Sequence, residues 1–481
     1  MELIDKFIKF EYEEELFNKE IQGVKFWHYI RFSIYEEILK QKYNLGQAHS
    51  DSSDKKFITK VWYELKQIPN FILKNPLCGL DQRDILVLNH QRRVKNGNYY
   101  DCIYTDEILK NINKSYYVFE ESVLEKHFKP IRTKNIRYFD YIDFIKAAKK
   151  IFFKFINPNF GKLCSNDINR LFLLFNAINK AFNVNFDKYK EIKDIENLIL
   201  NYKISKKYYE KILNKIKPKI IIEVCSYIFN RFLFNELAKK RGIKIVELQH
   251  GTMGKYHIAY NFYKKLELDT FPEYIFLFGE YWKNNTRFPL EKENLIVTGF
   301  PYFEGRLKEL TINNRKSSKK ENILFISQGT VGKELSQLAI KFNNLIDHKK
   351  YNIIYKLHPG EYDRWESEYP WLKKSYIEIV NNNKKNIYYY FSKCNFQVGV
   401  YSTAIFEGLG FNLKTFIYKV YGYKEMKYLY ENNYAQLVAS ADDIINQLNS
   451  DKENIKNKEF FWKSNSLRNI ISNIYNICDH D

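Results

Sequence analysis

The sequence predicts an α/β protein with two doubly wound parallel sheets and an N-terminal helical segment. Its 481 residues exceed what one hydrophobic core usually holds, so two or three domains are expected. From about residue 218 onward, continuous apolar runs alternate with helical patterns, which is typical of parallel strands buried on both faces. A polar, lysine-rich stretch at 305–321 separates these runs into two groups, one for each sheet.

Six apolar runs predict the strands of the first sheet, and five predict those of the second. The first set lies at 84–90, 116–119, 220–224, 244–248, 274–278 and 295–298, and the second at 322–326, 353–357, 396–400, 415–418 and 436–439. Gly242 is well placed to end the helix before the 244–248 run. We therefore expect a helical extension at 1–80, Rossmann-like domains at 81–305 and 306–458, and a final helix within 459–481 that returns to the first domain.

Two segments outside the strand pattern are basic and amphipathic. They lie at 55–77 and at 140–156, where Phe144, Ile151, Phe152 and Phe155 interleave with Lys146, Lys149, Lys150 and Lys154. Such a helix fits an anionic membrane surface. The alternative is a helix packed on the core with a solvated lysine face.

Composition narrows the class of partner. The formal net charge of +20 favours anionic partners such as nucleic acid, acidic lipid or phosphorylated substrates. The positive residues are spread along the chain without a DNA- or RNA-binding motif, so no nucleic-acid partner is expected. Six scattered cysteines without a CxxC pair predict reduced thiols and no zinc site.

The beginning of the chain and its apolar runs bear on localisation. The first residues lack the pattern of a signal peptide. No apolar run reaches the ~18 residues that a membrane-spanning helix needs. We expect a cytoplasmic protein that is at most peripheral on the inner face of a membrane.

The strand at 244–248 ends in Gln249-His250-Gly251-Thr252, which makes its carboxyl end the first candidate site. Ligands of open α/β sheets bind outside the carboxyl ends of the strands. A neutral imidazole can take a proton from a hydroxyl near neutral pH, so His250 is the predicted general base. Glu247 is an alternative, but strand alternation is expected to point it to the face opposite Gln249. Gly299 and Pro301, after the 295–298 strand, are predicted to line the same cleft.

Three loops of the second group suggest a phosphate-binding edge. Gly329-Thr330 follows the 322–326 strand, and Ser402-Thr403 follows the 396–400 strand and opens a helix, where unpaired N–H groups attract anions. One of the two hydroxyls can instead be a plain N-cap. His358-Pro359 follows the 353–357 strand, which lies between these two loops in sequence, and the imidazole of His358 can hold a phosphate. Glu407, one turn into the helix, is predicted to bind ribose hydroxyls, or else to form a surface salt bridge.

In order and spacing, these residues resemble those of GT-B-type transferases of bacterial surface polysaccharides. The matching residues are Gln249-His250-Gly251-Thr252, Gly299-Phe300-Pro301, His358-Pro359, Ser402-Thr403 and Glu407. The nearest groups are the CDP-glycerol glycerophosphotransferases of teichoic-acid synthesis and the capsule or lipopolysaccharide transferases. The former usually carry Asp-Tyr-Ser-Ser followed by an Asp, where this chain has Val400-Tyr401-Ser402-Thr403 and Glu407, so the donor nucleotide stays open.

The resemblance implies two Rossmann-like domains that face a central cleft, and an enzyme without metal or other cofactor. It assigns the base to His250 and the donor phosphate to His358, Ser402 and Thr403. With the loop residues described above, the predicted donor-nucleotide site consists of Gly329, Thr330, His358, Pro359, Ser402, Thr403 and Glu407. The acceptor side and cleft lining fall to Gln249, Gly251, Thr252, Gly299 and Pro301.

The predicted function is inverting transfer of a sugar from a CMP-, CDP-, UDP- or GDP-linked donor to a glycan or lipid-linked glycan. That glycan belongs to a capsule, O-antigen or lipopolysaccharide. The alternatives are a glycerol- or polyol-phosphate transferase, a nucleotide-sugar 2-epimerase-like enzyme, and a nucleic-acid-binding protein.

Overall fold

The computed structural model of the chain describes residues 2–43, 69–91, 93–123, 126–157, 159–313, 320–448 and 458–479. In chain order, its strands are β1 (Glu20–Ile21), β2 (Val24–Lys25), β3 (Ile85–Leu88), β4 (Val94–Asn96), β5 (Tyr99–Asp101), β6 (Tyr116–Glu120), β7 (Ile136–Tyr138), β8 (Ile220–Val224), β9 (Lys244–Leu248), β10 (Tyr274–Leu277), β11 (Leu295–Val297), β12 (Glu321–Ile326), β13 (Tyr351–Lys356), β14 (Glu378–Val380), β15 (Phe396–Gly399), β16 (Lys414–Tyr418) and β17 (Gln436–Val438). The segment 55–68 and the core of the polar stretch, 314–319, lie outside the described residues.

The helices fall before, between and after these strands. The longer ones are Leu3–Glu13, Trp27–Tyr43, Asp140–Ile156, Ser165–Phe182, Lys188–Ile216, Phe229–Lys239, Pro301–Asn313, Gly332–Leu345, Thr403–Gly410, Ala441–Leu448 and Ser466–Asp479. Shorter ones are Asp106–Asn111, Glu280–Asn284, Trp365–Glu368, Ile387–Phe391 and Lys427–Glu431. Gly242, after the Phe229–Lys239 helix, has a φ of +70°, as expected of a residue that ends a helix.

The strands form two parallel sheets with the same winding. The first has seven strands in the order β11-β10-β9-β8-β3-β6-β7, and the second has six in the order β14-β13-β12-β15-β16-β17. Every pairing within these two sheets is parallel. The strand order reverses between β3 and β8 in the first sheet and between β12 and β15 in the second, which gives each sheet a switch point for ligands. The predicted fold class is confirmed.

Both faces of the first sheet are covered, and strand alternation explains how. Leu86 and Leu88 of β3 join the core that contains the N-terminal helices. Ile85 and Val87 point to the other face and join a core that contains Ile470 of the Ser466–Asp479 helix. The last helix of the chain therefore packs against the first sheet.

The N-terminal extension is bound to the loop that follows β9 through one buried ion pair. Arg31 forms two hydrogen bonds with the carboxylate of Glu11, from Nε at 2.8 Å and from Nη2 at 2.7 Å. The same guanidinium donates to the carbonyl oxygens of Ile258 at 2.7 Å and Asn261 at 3.0 Å. Because both side chains are 1% exposed and fully bonded, removing either leaves a buried charge unpaired, which usually costs about 3–5 kcal/mol.

The sequence of the Asp140–Ile156 helix suggested either packing on the core or contact with a membrane surface, and the two ends of the helix differ in this respect. Its first turns pack inward: Ile142 is buried, Lys146 pairs with Asp143 at 2.5 Å, and the Lys149 ammonium lies 5.0 Å from the ring centroid of Tyr208. Its end is apolar and exposed, with Ile151 73%, Phe152 58%, Phe155 87% and Ile156 64% accessible. Within the described residues, no helix is both long and apolar enough to span a membrane.

Candidate functional site

The loop after β9 is fixed from behind by the side chain of Gln249. The Gln249 amide donates to the carbonyl oxygen of Gly251 at 2.7 Å and accepts from the backbone N–H of Phe278 at 2.7 Å. Gln249 is 1% exposed, so it lies beneath the loop. Its contacts tie the loop to the end of the neighbouring strand β10 and thereby set the position of His250.

His250 lies over the switch point of the first sheet. Its Nε2 is 3.3 Å from the hydroxyl of Tyr227, which follows β8, and its ring centroid is 6.2 Å from that of His90, which follows β3. The backbone carbonyl of His250 accepts a hydrogen bond from the hydroxyl of Tyr104 at 2.8 Å. The imidazole is therefore half-buried at the edge where ligands of such sheets bind.

Glu247 belongs to the same group of residues, so the expectation that strand alternation turns it away was wrong. Residues two apart in a strand share a face, and Glu247 therefore lies on the same side of β9 as Gln249. Its Oε1 is 3.8 Å from Nδ1 of His250. Oε1 also accepts hydrogen bonds from the Ser226 N–H at 3.1 Å and from the Tyr260 hydroxyl. Burial raises the pKa of Glu247 above its usual range.

The turn after β15 meets the first domain directly. Ser402 is the N-cap of the Thr403–Gly410 helix, because its hydroxyl accepts the Ala404 N–H at 3.2 Å. The hydroxyl of Thr403 accepts the backbone N–H of Thr252 at 2.9 Å and lies 3.3 Å from the Thr252 hydroxyl. A Cβ on Gly251 would lie 3.5 Å from the same Thr403 oxygen. The two predicted halves of the site are therefore in contact.

The loop after β12 is joined to that turn across the second switch point. The Gln328 amide forms two hydrogen bonds with the backbone of Tyr401, accepting its N–H at 3.1 Å and donating to its carbonyl. The hydroxyls of Thr330 and Tyr401 are also hydrogen-bonded. Gly329 and Thr330 open on a recess of about 590 Å³ that Lys333 and Arg364 also line. Glu334 and Glu368 line the recess as well, and Glu368 pairs with Arg364 at 3.1 Å, so the two positive charges are balanced by two carboxylates.

His358 and Pro359 follow β13, the neighbour of β12, so they lie at the same edge of the sheet. Nδ1 of His358 accepts the Gly360 N–H at 3.1 Å, and the His358 N–H donates to Oε2 of Glu361 at 2.7 Å. The turn that Pro359 begins thus holds the imidazole in place through its own backbone.

Glu407 is half-buried and has a tyrosine rather than a cation as its partner. The hydroxyl of Tyr388 donates to its Oε1 at 2.6 Å. Burial raises the pKa of Glu407 to about 7. Glu407 therefore does not form the surface salt bridge that was the alternative suggested by the sequence.

Gly299 and Pro301 serve the packing of the chain next to the cleft. Gly299 has a φ of +92°, and a Cβ there would lie 2.1 Å from the carbonyl oxygen of Lys463. Only glycine lets the segment before the final helix pass at this point. Pro301 begins the next helix, and Phe300 between them stacks on Tyr104 at 5.7 Å.

A cavity of about 200 Å³ adjoins the contact between the two domains. One wall comes from the N-terminal helix, through Phe32, Tyr35 and Leu39, and the others include Thr252, His257, Phe406 and Glu425. Phe32 also stacks on Tyr227, with ring centroids 5.1 Å apart, and the hydroxyl of Tyr227 is the group that contacts Nε2 of His250. Burial raises the pKa of Glu425 to about 8. The helical extension thus reaches the functional region.

The structure adds residues to the site that the sequence did not single out. These are His90, Tyr104 and Tyr227 around His250, Gln328 and Tyr401 at the second switch point, and Glu223 beside Glu247. His90 and Tyr227 come shortly after apolar runs, which is the one signal that was available. Which runs are neighbours depends on the strand order, and the sequence does not contain that order.

Comparison with known proteins shows similarity in structure only. No model of a protein family and no curated protein matches the sequence. Similar solved structures include the UDP-GlcNAc 2-epimerase of Methanocaldococcus jannaschii, with 12% identity over 81% of this chain and 99% of that one and a TM-score of 0.50. The UDP-GlcNAc 2-epimerase of Neisseria meningitidis bound to UDP-GlcNAc has 11% identity over 82% and 99% of the two chains, with a TM-score of 0.48. The wall teichoic acid polymerase TagF has 12% identity over 89% and 94%, with a TM-score of 0.40.

At this identity, the first similarity shows the fold. The chain shares the fold of that epimerase and has two parallel α/β sheets. The GT-B-type fold that the sequence resemblance implied is therefore confirmed.

Proposed function

We propose that the protein is a glycosyltransferase that uses a nucleotide-activated sugar to extend a bacterial surface glycan. One observation carries the proposal: the His250 loop and the Thr403 turn are in contact, through the Thr252 N–H and the Thr403 hydroxyl at 2.9 Å. A base on one sheet and an anion-binding turn on the other thus lie at one junction. Transfer of a group from a phosphate to a hydroxyl needs these two functions side by side.

The donor binds at the second sheet in this proposal. Its phosphate accepts hydrogen bonds from the hydroxyls of Ser402 and Thr403 and from N–H groups of the loop at Gly329 and Thr330, and the dipole of the Thr403–Gly410 helix favours the negative charge. His358 supplies a further donor at the same edge. Glu407 accepts hydroxyls of the ribose or of the sugar, because its carboxyl is already oriented by Tyr388.

The chemical step takes place at the first sheet. The acceptor oxygen attacks the anomeric carbon, the bond from that carbon to the phosphate oxygen breaks, and the nucleotide leaves with the bonding electrons. Nε2 of His250 takes the proton of the attacking hydroxyl. Direct displacement of this kind inverts the configuration at the anomeric carbon.

The acceptor reaches His250 from the cavity beside Thr252. Its walls combine aromatic rings with the carboxyl groups of Glu36 and Glu425, which suit the faces and hydroxyls of a sugar. Gly251 has no side chain that would contact the Thr403 hydroxyl, so the two loops can approach each other closely. Gln249 and Gly299 position the loops around this contact. The acceptor is a glycan, free or linked to a lipid.

A lipid-linked acceptor would bring the protein to an anionic membrane surface, and the end of the Asp140–Ile156 helix suits such a surface. Exposed Ile151, Phe152 and Phe155 provide the apolar contact, and Lys154 provides charge beside them. The ring of Phe71 lies 5.4 Å from that of Phe144, and its neighbours Ile72 and Leu73 are exposed.

Vesicle sedimentation tests the membrane contact. The double variant Phe152→Ser with Phe155→Ser should lose binding to vesicles that contain phosphatidylglycerol. Leu173→Ser is the control, because Leu173 is 69% exposed on another helix. Equal binding of all three proteins would remove the membrane from the proposal.

A thermal-shift screen with CMP, CDP, UDP and GDP tests the donor site. A nucleotide at one hundred times its dissociation constant stabilises the native state by about 2.7 kcal/mol, so one of the four should raise the melting temperature clearly. If none of the four changes the melting temperature at millimolar concentration, the nucleotide-dependent reaction is ruled out.

A nucleotide-sugar 2-epimerase-like activity is the second candidate. It is favoured by the fold, which is similar to that of a UDP-GlcNAc 2-epimerase, and by the half-buried imidazole of His250, since epimerisation needs a group that removes and returns a proton on carbon. Incubation with UDP-GlcNAc in deuterium oxide separates the two functions. An epimerase exchanges the proton on C2 of the sugar without an acceptor, and a transferase leaves that proton in place.

A further inference from the structure

Two glutamates lie side by side beneath the His250 loop, on neighbouring strands. Glu223 of β8 and Glu247 of β9 are direct partners in the parallel register, so their side chains leave the sheet on the same face. Both are fully buried, at 0% exposure. A pair of carboxyl groups in the centre of a sheet is unusual, because ionised carboxylates are costly to remove from water.

The contacts of this carboxyl pair are polar but mostly neutral. Glu247 accepts from the Ser226 N–H and the Tyr260 hydroxyl, and Glu223 accepts from the Asn235 amide at 2.9 Å. The Oε2 atoms of both glutamates are buried and have no hydrogen-bond partner among the residues that the structure describes. The nearest imidazole is that of His250, whose Nδ1 is 3.8 Å from Glu247 Oε1.

The cations whose charge reaches the carboxyl pair are occupied elsewhere. Arg231 forms an ion pair with Glu121 and donates to the backbone of Asn89, and Lys239 donates to the Leu268 carbonyl at 2.8 Å. The other ionisable groups that face the pair are Cys225, Tyr227 and Tyr260. Burial raises the pKa of both glutamates, and the charge of Glu247 raises that of Glu223 further. Two full negative charges on adjacent buried carboxyl groups are therefore disfavoured here.

We propose that Glu247 is the positioning residue for His250, and that Glu223 keeps the carboxyl pair at a single negative charge by holding one proton. The charge faces Nδ1 of the imidazole, which favours the tautomer with its proton on Nδ1. Nε2 is then left unprotonated toward Tyr227 and the cleft. The separation of 3.8 Å exceeds a hydrogen bond, so the effect is exerted through charge.

The proton balance of the step is simple, and it rests on the proposed role of His250 as the base. The acceptor hydroxyl loses its proton to Nε2, which turns the neutral ring into a cation with a proton on each nitrogen. The negative charge behind Nδ1 stabilises that cation. Glu223 keeps its proton throughout, so no bond within the carboxyl pair forms or breaks.

Titration of His250 in the resting protein tests this proposal without any substrate. The chain has nine histidines, so the signal of labelled His250 is assigned by its loss in His250→Gln. Glu247→Gln should lower the midpoint of His250 by about 1 pH unit, a tenfold loss of proton affinity. Glu223→Gln, the matched control, leaves Glu247 charged and should keep the midpoint within about 0.3 unit or raise it.

A milder variant guards against loss of the fold. Tyr260→Phe removes one hydrogen bond to the Glu247 carboxylate, and should shift the His250 midpoint in the same direction by a smaller amount. An unchanged midpoint in folded Glu247→Gln, or in Tyr260→Phe where the former does not fold, overturns the proposal. So does an equal fall in both glutamine variants.

The activity measurement separates this proposal from the proposed function. If His250 is the base, the acidic limb of the pH–rate profile follows the shifted midpoint in Glu247→Gln. If folded His250→Asn retains turnover, the role of His250 as base fails, whereas the titration result still decides whether Glu247 acts on the ring.

Discussion

The two sheets have the same winding, yet the residues at their carboxyl edges differ in kind. The edge of the first sheet carries proton-binding groups, His250 and the carboxyl groups of Glu223 and Glu247. The edge of the second carries hydroxyls, an amide and loop N–H groups, from Ser402, Thr403 and Gln328. The two edges meet at the contact between Thr252 and Thr403. In the proposed function, the first edge transfers the proton and the second holds the phosphate.

The two edges also differ in how they are supported. The loop of the first sheet is held by Gln249 from below and, further on, by Arg31 of the N-terminal extension. The loops of the second sheet are held mainly by one another, through Gln328 and Tyr401. The edge of the first sheet is therefore the more extensively anchored of the two.

The largest expected effect comes from removing the base. His250→Asn keeps a polar side chain but cannot accept the proton at neutral pH, so the rate of transfer should fall by about 10²–10⁴-fold. The nucleotide dissociation constant, measured by calorimetry, should stay within about twofold. If the variant keeps a turnover close to that of the unmodified protein, the edge of the first sheet does not supply the base through His250, and the proposed difference between the two edges is wrong.

The next effect belongs to the phosphate side. Thr403→Val removes one hydroxyl at the second edge and should weaken nucleotide binding by about tenfold, the value of one hydrogen bond to a charged group. Thr252→Val is the matched control, since it removes the hydroxyl on the other side of the same contact. It should change the dissociation constant by less than about threefold. If Thr252→Val weakened nucleotide binding more than Thr403→Val, the phosphate would bind at the first sheet instead.

A smaller effect is expected from the second strand-end histidine. His358→Ala should weaken nucleotide binding by about threefold to tenfold, because it removes one donor near the phosphate. His348→Ala is the control within the same domain: His348 bonds to the Asn343 carbonyl and precedes β13, so it lies at the opposite edge of the sheet. Equal affinities of both variants would remove His358 from the site.

The smallest effect concerns stability and pH at the cavity. Because burial raises the pKa of Glu425 to about 8, its contribution to stability is complete below the unfolded value near 4.5 and is lost as the pH rises through 8. The free energy of unfolding of Glu425→Gln, measured with urea, should therefore rise by about 1–3 kcal/mol relative to that of the unmodified protein as the pH increases from 5 to 9.

The control for this measurement is Glu431→Gln, at an exposed ion pair with Lys427. It should leave the pH dependence of the unfolding free energy unchanged. If Glu425→Gln behaves in the same way, the carboxyl of Glu425 is hydrated and does not face a dry cavity.

Much of the fold followed from the sequence because its central strands are long and apolar. Runs such as Ile85–Leu88 and Glu321–Ile326 lie where the pattern predicted them, and the Asp140–Ile156 helix has the predicted limits. The strands Ile136–Tyr138 and Glu378–Val380 were not predicted. Each is a three-residue edge strand, too short to show a period.

The site was predictable only in its loops. The motifs at His250, His358 and Ser402 come directly after strands, so their positions at sheet edges followed from the pattern. The neighbours Tyr104, Tyr227 and Gln328 depend on strand order, which is a tertiary property. The role of Gly299 depends on the passage of Lys463, more than 160 residues later in the chain.

The most direct test of the account is a crystal structure with the nucleotide that stabilises the protein most. The account predicts that the phosphate lies within hydrogen-bond distance of Ser402, Thr403 or the loop at Gly329 and Thr330. The leaving oxygen should face Nε2 of His250 across the cleft. A phosphate bound instead against His90 and Tyr227, on the first sheet, would contradict it.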